Sequence, residues 1–154
     1  MRAPDLQQRM LADHRRLEAL FTRVMDAFNA NAREDTQQLW HELENGLERH
    51  LLAEECFLFP RFATVDLTEL RALQDDHAMI RARMAELGVG VDLKLVRAEV
   101  AQGFLDALRA HAAREDAFLY RWARETLAAK PAIDLLASQP PRPTAPGASA
   151  PRVE

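Results

Sequence analysis

One pattern occurs twice in this chain of 154 residues. Asp13-His14 is followed 36 residues on by His50-x-x-x-Glu54-Glu55, and Asp76-His77 is followed 34 residues on by His111-x-x-x-Glu115-Asp116. Every one of these histidines sits inside an apolar stripe of three- and four-residue steps. The stripes are Met10, His14, Leu17, Phe21, Met25 and Phe28; Leu39, Leu43, Gly46/Leu47, His50, Glu54 and Phe57; Leu70, Leu73, His77, Ile80, Met84 and Leu87; and Val96, Val100, Phe104, Ala107/Leu108, His111, Glu115, Phe118 and Trp122. That period is the mark of an amphipathic helix. Four such helices with links of roughly 5 to 8 residues suit an all-α, up-down-up-down antiparallel four-helix bundle. The repeat makes two helix pairs of one design, related by an approximate two-fold axis. Polar groups of the two pairs would then meet at the centre.

Breakers are scarce in the body, since six of the eight prolines follow residue 130. This excludes a turn-rich all-β fold. Asn29-Ala30-Asn31 is expected to end the first helix. Asp35-x-x-Gln38 and Asp66-x-x-Glu69 have the form of capping boxes for the second and third. Pro60 should stop or kink the second helix, Gly88-Val89-Gly90 should end the third, and the fourth should begin near Asp92 and close at Ala128-Ala129-Lys130-Pro131. Residues 1–130 are read as the bundle and 131–154 as a disordered Pro-rich C-terminal tail.

A net charge of −4 without a basic block argues against nucleic-acid partners. No apolar run is long enough for a transmembrane helix, so no membrane role is expected. The N-terminal residues lack a signal-peptide core and a single cysteine, Cys56, permits no internal disulfide; the expected compartment is the cytoplasm. Monomer or weak dimer is the expected state.

Residues four apart on an α-helix differ by about 40° in direction, so His50 and Glu54 face inward together, as do His111 and Glu115. Glu55 and Asp116, about 140° from those histidines, are expected to face solvent. Two glutamates in one core are costly to bury and repel each other. One or two dications would relieve both problems, with His14, His50, Glu54, His77, His111 and Glu115 as the donor set. Nitrogen and oxygen donors without thiolate suit iron, manganese or zinc. His41, half a rotation from His50, belongs on the outer face.

These motifs, with Leu58-Phe59-Pro60 after the first glutamate, resemble those of the hemerythrin family in its bacterial HHE cation-binding branch. The likeness covers about residues 10 to 125. It implies a four-helix bundle around two non-haem iron ions with a bridging oxo or hydroxo group, iron being favoured over zinc or manganese. His14 and His50 would hold one iron, His77 and His111 the other, and Glu54 and Glu115 would bridge. Oxygen carriers of the family have a fifth histidine four residues from the third-helix histidine; here those positions are Leu73 and Arg81. The set is more similar to that of di-iron proteins of oxidative and nitrosative stress, though the Cys-containing domain that accompanies cluster-repair members is missing. A small diatomic or peroxide ligand and an unidentified electron donor are the implied partners, and a di-iron oxidoreductase is one implied activity. An oxygen or iron sensor or store without turnover is the alternative, and a zinc-bound structural protein a third.

Beyond the ligands no residue is singled out as catalytic. Glu18 and Arg81, each four residues after a ligand histidine, hold equivalent places in the two halves. They could form an ion pair, Glu18 could reach a metal, or both could lie solvated at the rim. Asp13 and Asp76 are read either as acceptors behind ligand histidines or as surface residues. Cys56 is read as a small core filler, Trp122 as core, Tyr120 as lying half a turn off the stripe, and Gly46 and Gly103 as relieving crowding or opening a path.

Overall fold

A computed structural model describes residues 6–127. Four helical rods pack side by side. The first is α1 (Leu6–Asn29). The second is α2 (Arg33–Ala53), which continues through a π-helical turn at Glu54–Leu58 into the short α3 (Phe59–Phe62). The third is α4 (Leu67–Leu93). The fourth is α5 (Ala98–Glu115), which passes through a second π-helical turn at Asp116–Tyr120 into α6 (Arg121–Thr126). The rod α1 lies against α2 and α4 against α5, and contacts of α2 with α4 and of α1 with α5 close the bundle. Among the described residues no helix is long and apolar enough to cross a membrane.

Several helix ends differ from those the sequence suggests. Asn31, with φ of 56°, does turn the chain after α1. The second helix begins earlier than Asp35, because the Thr36 amide already bonds the Ala32 carbonyl at 2.9 Å and the Thr36 hydroxyl bonds it at 2.8 Å. Glu34 and Asp35 therefore stand in the first turn, where negative charge suits the helix dipole. Asp66 does cap α4, its carboxylate accepting from the Glu69 amide at 2.9 Å. The second rod runs two residues past Pro60, the proline falling in the first turn after the π segment, where a missing N–H matters little.

The third helix does not end at Gly88-Val89-Gly90. It reaches Leu93 and stops at Lys94, whose φ of 56° is left-handed. Gly88 serves packing instead. A Cβ there would lie 3.2 Å from Cζ2 of Trp40, so the bare backbone lets α4 approach the indole, and the extra turn buries Val91. Asp92 is consequently still helical, and the fourth rod starts at Ala98. Gly46 plays a similar part toward α1, since a Cβ would meet Leu17 Cδ2 at 3.1 Å. Gly103 has its carbonyl bonded by Arg83 Nη1 at 2.8 Å. The expected close at 128–131 and the tail from 131 lie outside the described residues.

The core divides into two apolar clusters. One contains Leu17, Phe21, Val24, Trp40, Leu87 and Phe104 among others. The other contains Met10, Phe59, Phe62, Leu70, Leu119 and Tyr120 among others. In sequence each ligand histidine falls between residues of the first cluster and residues of the second, as His77 does between Leu73 and Ile80. The candidate site is a polar layer between two dry ones.

Candidate metal centre

All six expected ligand residues meet in that layer. His50, Glu54, His77, His111 and Glu115 are buried, and His14 is nearly so. Their donor atoms form two groups of four, each with its atoms within 4.8 Å of one another. One group is His14, His50, Glu54 and Glu115; the other is His77, His111, Glu54 and Glu115. The two glutamates are shared, and each splits its oxygens between the groups. Glu54 Oε1 lies 3.5 Å from His50 Nε2 and Oε2 lies 3.4 Å from His77 Nε2. Glu115 Oε2 lies 3.1 Å from His14 Nε2, and Oε1 lies 2.7 Å from His111 Nε2.

The outer nitrogens of three ligand histidines are held by carboxylates. His50 Nδ1 donates to Asp13 Oδ2 at 2.8 Å, His77 Nδ1 to Glu55 Oε1 at 2.8 Å, and His111 Nδ1 to Asp76 Oδ2 at 3.4 Å. Such acceptors fix the tautomer and ring orientation, leaving Nε2 for a metal. Asp13 and Asp76 are thus acceptors behind candidate ligand histidines rather than free surface residues. Glu55 does not face solvent as expected. It reaches across to α4, where Arg81 binds it through Nη1 at 2.6 Å while also bonding Glu48 at 3.0 Å. Asp116 is half-buried and takes a hydrogen bond from Gln7.

No Glu18–Arg81 pair forms. Arg81 is committed to Glu48 and Glu55, and Glu18 is bound by Arg109 through Nε at 3.0 Å and through Nη2. Glu18 and Arg109 stand beside a cavity of about 240 Å³ whose walls include Leu47, Leu51, His14, His50 and His111. His41 is exposed, as expected, beside Glu44. Cys56 is exposed as well and fills no part of the core.

Tyr120 was missed. Its side chain is fully buried, and its hydroxyl bonds Glu54 Oε1 and Glu115 Oε2, the latter at 2.9 Å, with His14 Nε2 3.3 Å away. The cause is the π turn at 116–120. An i→i+5 turn adds one residue to the rotation, so the fifth residue after Glu115 returns to the ligand face. The same shift exposes Phe118, expected on the inward stripe, and leaves Trp122 half-buried against Phe62. In the first half the π turn at 54–58 brings Phe59 inward in the same way, its ring 4.9 Å from that of His77. The repeat pairs Phe59 with Tyr120, but a strict α-helical count places neither.

The electrostatics of the layer are those of crowded acids among imidazoles. Burial, and the neighbouring Glu115 charge, push the Glu54 carboxyl up. Burial also opposes ionisation of Glu115, but hydrogen bonding to His111, His14 and His77 outweighs it and holds that carboxyl well below its usual range. Burial works against charge on His50 too, yet the Glu54 charge and the Asp13 hydrogen bond lift it to about 9. For His77 burial is likewise overcome, here by Glu115, Glu54 and Glu55, and it rises to about 10. Burial, then the charges of Glu115 and Glu54, drives the Tyr120 phenol well above its usual range.

A metal fits this arrangement. His77 Nε2, His111 Nε2, Glu54 Oε2 and Glu115 Oε1 are buried against one another, His111 Nε2 lying 2.7 Å from Glu115 Oε1 and His77 Nε2 lying 3.4 Å from Glu54 Oε2 and 3.6 Å from Glu115 Oε1. Acids and imidazoles packed against one another in a core call for a compensating charge, and these four residues form one of the two groups that could hold a cation. Compared with protein families, residues 5–123 match the hemerythrin HHE cation-binding domain. The chain belongs to the hemerythrin family. A search of curated proteins and a search of solved structures each found no match. The hemerythrin motifs, with the two clustered donor groups, make this a cation-binding helical domain.

Proposed function

We propose that this chain is a non-haem di-iron protein that binds or turns over a small oxidant, peroxide, nitric oxide or dioxygen, in redox or nitrosative stress. Its short links and rod contacts favour an up-down-up-down arrangement. The observation that carries the reading is the division of each glutamate between two histidine pairs, which is what a carboxylate bridging two cations requires. His14 and His50 would hold one iron and His77 and His111 the other, with Glu54 and Glu115 bridging beside an oxo or hydroxo group. When bound, such a pair supplies two electrons by cycling between ferrous and ferric states. The chain's own residues orient the imidazoles through Asp13, Glu55 and Asp76. They keep bulk water out through the two apolar clusters. They hold a proton at the centre on the Tyr120 hydroxyl.

The cavity beside His14, His50 and His111 supports a ligand role, because it gives a small molecule room next to the donor layer. Its apolar walls favour neutral species over ions. Metal analysis and the optical spectrum of protein purified without chelator, before and after peroxide, test the proposal. About two irons per chain with ferric charge-transfer bands that peroxide alters are expected. Zinc, or a spectrum unchanged after anaerobic ferrous reconstitution, would remove the redox function. Reversible oxygen binding without consumption would move the assignment to a sensor or store.

A further inference from the structure

The two donor groups are related by the repeat, yet they differ in three ways. First, the four donor atoms of the His77 group pack only against one another, whereas in the His14 group the Tyr120 hydroxyl, from outside the donor set, bonds Glu54 Oε1 and Glu115 Oε2 and stands beside His14 Nε2. The residue in the matching place over His77 is Phe59, which has no oxygen to offer. Second, both imidazoles of the His77 group are backed by carboxylates, Glu55 and Asp76. In the other group only His50 is. His14 Nδ1 is buried with no partner, because Asp116, the counterpart of Glu55, is one methylene shorter and is engaged by Gln7. Third, the cavity is lined by both histidines of one group, His14 and His50, but by only His111 of the other, His77 not being among its lining residues.

We infer that the two metal positions are unequal and fill in order, the His77–His111 position first and tightly, the His14–His50 position second and exchangeably. A cation entering the first position displaces no group from outside the donor set and meets two oriented imidazoles. A cation entering the second must take the place of the Tyr120 hydroxyl on both glutamates and must itself fix the ring of His14. Loss of one backing carboxylate typically costs 10–100-fold in metal affinity. The cavity gives the weaker position a route for exchange. This inference rests on the two-cation reading above and concerns only how the two places differ.

The test is a titration of the full, chelator-stripped chain with Co²⁺, followed by calorimetry and by the visible bands of the bound ion. Two steps of one equivalent each are expected, with dissociation constants about 10–100-fold apart. Glu55→Gln should weaken the first step by about 10-fold or more and draw the two together. Tyr120→Phe should tighten the second step and leave the first unchanged. His14→Ala should keep one tight equivalent, with Glu55→Gln as the milder probe if histidine variants fail to fold. Two equal equivalents in the parent chain would overturn the inference while leaving the two-cation centre intact. Loss of the tight step in His14→Ala, or a Tyr120→Phe second step weaker than the parent's, would also overturn it. No bound Co²⁺ at all would remove the centre and the inference with it.

Discussion

Metal binding should be strongly coupled to protons, and the structure sets the size of the coupling. His50 is raised to about 9 and His77 to about 10, so both are protonated at neutral pH when no cation is bound. Their Nδ1 protons are held by Asp13 and Glu55, so the proton a cation must displace is the one on Nε2. One displaced proton at each position makes that position's apparent affinity rise about 10-fold per pH unit. Between pH 6 and pH 8 the gain per cation is about 100-fold, or about 2.7 kcal/mol. Competition of Zn²⁺ with a coloured chelator across that range gives the slope. Calorimetry in buffers of different ionisation enthalpy counts the protons released, expected near two. A flat profile, or no proton release, would refute the reasoning. The sign reverses for the folding of metal-free protein. Histidines raised above about 6.5 stabilise the fold fully below that pH, and the contribution is lost as pH climbs through 9 to 10. Metal-free protein should therefore melt progressively lower from pH 7 to pH 10.

Leu87→Ala removes a side chain that is 1% exposed in the larger cluster and should cost about 2–5 kcal/mol, read as a lowered denaturant midpoint at unchanged slope. Asp66→Ala removes the cap of α4 and should cost about 1 kcal/mol in the same assay; no change would mean that the Glu69 amide finds water at no cost. Glu18→Ala should leave two metal equivalents per chain, since Glu18 is engaged by Arg109 at the cavity wall; loss of an equivalent by metal analysis would make Glu18 a ligand.

The clustering of the six histidines and glutamates was legible because burial of a histidine and a glutamate at four-residue spacing follows from helix geometry alone, and the stripes through Leu17, Leu73 and Phe104 marked the inner face. The acceptors Asp13 and Asp76 were only half legible, since a residue 100° off a stripe faces either a neighbouring helix or water. Glu55 and Tyr120 were not legible. Glu55 faces α4 from the rod that precedes it, which depends on how α2 and α4 sit against each other rather than on local sequence. Tyr120 depends on an extra residue in the turn, for which the sequence 116–120 carries no breaker to give warning. The glycines at 88 and 90 misled because a glycine's absent side chain serves a close neighbour as readily as a helix end.

The two π turns have a consequence for how this chain tolerates change. Each falls immediately after a shared glutamate, so everything toward α3 and α6 is wound in a different phase from everything before it. Rewinding 116–120 as regular α-helix with no residue removed would swing Tyr120 and Leu119 by about 100° away from the inner face and from the cluster they share with Met10 and Leu70, whereas removing one residue at the same time would leave Tyr120 four residues after Glu115 and still on that face. A substitution that merely straightens the helix would thus scramble one whole end of the bundle. The same-sized insertion in both halves acts as a phase lock between the donor layer and the apolar floor beneath it.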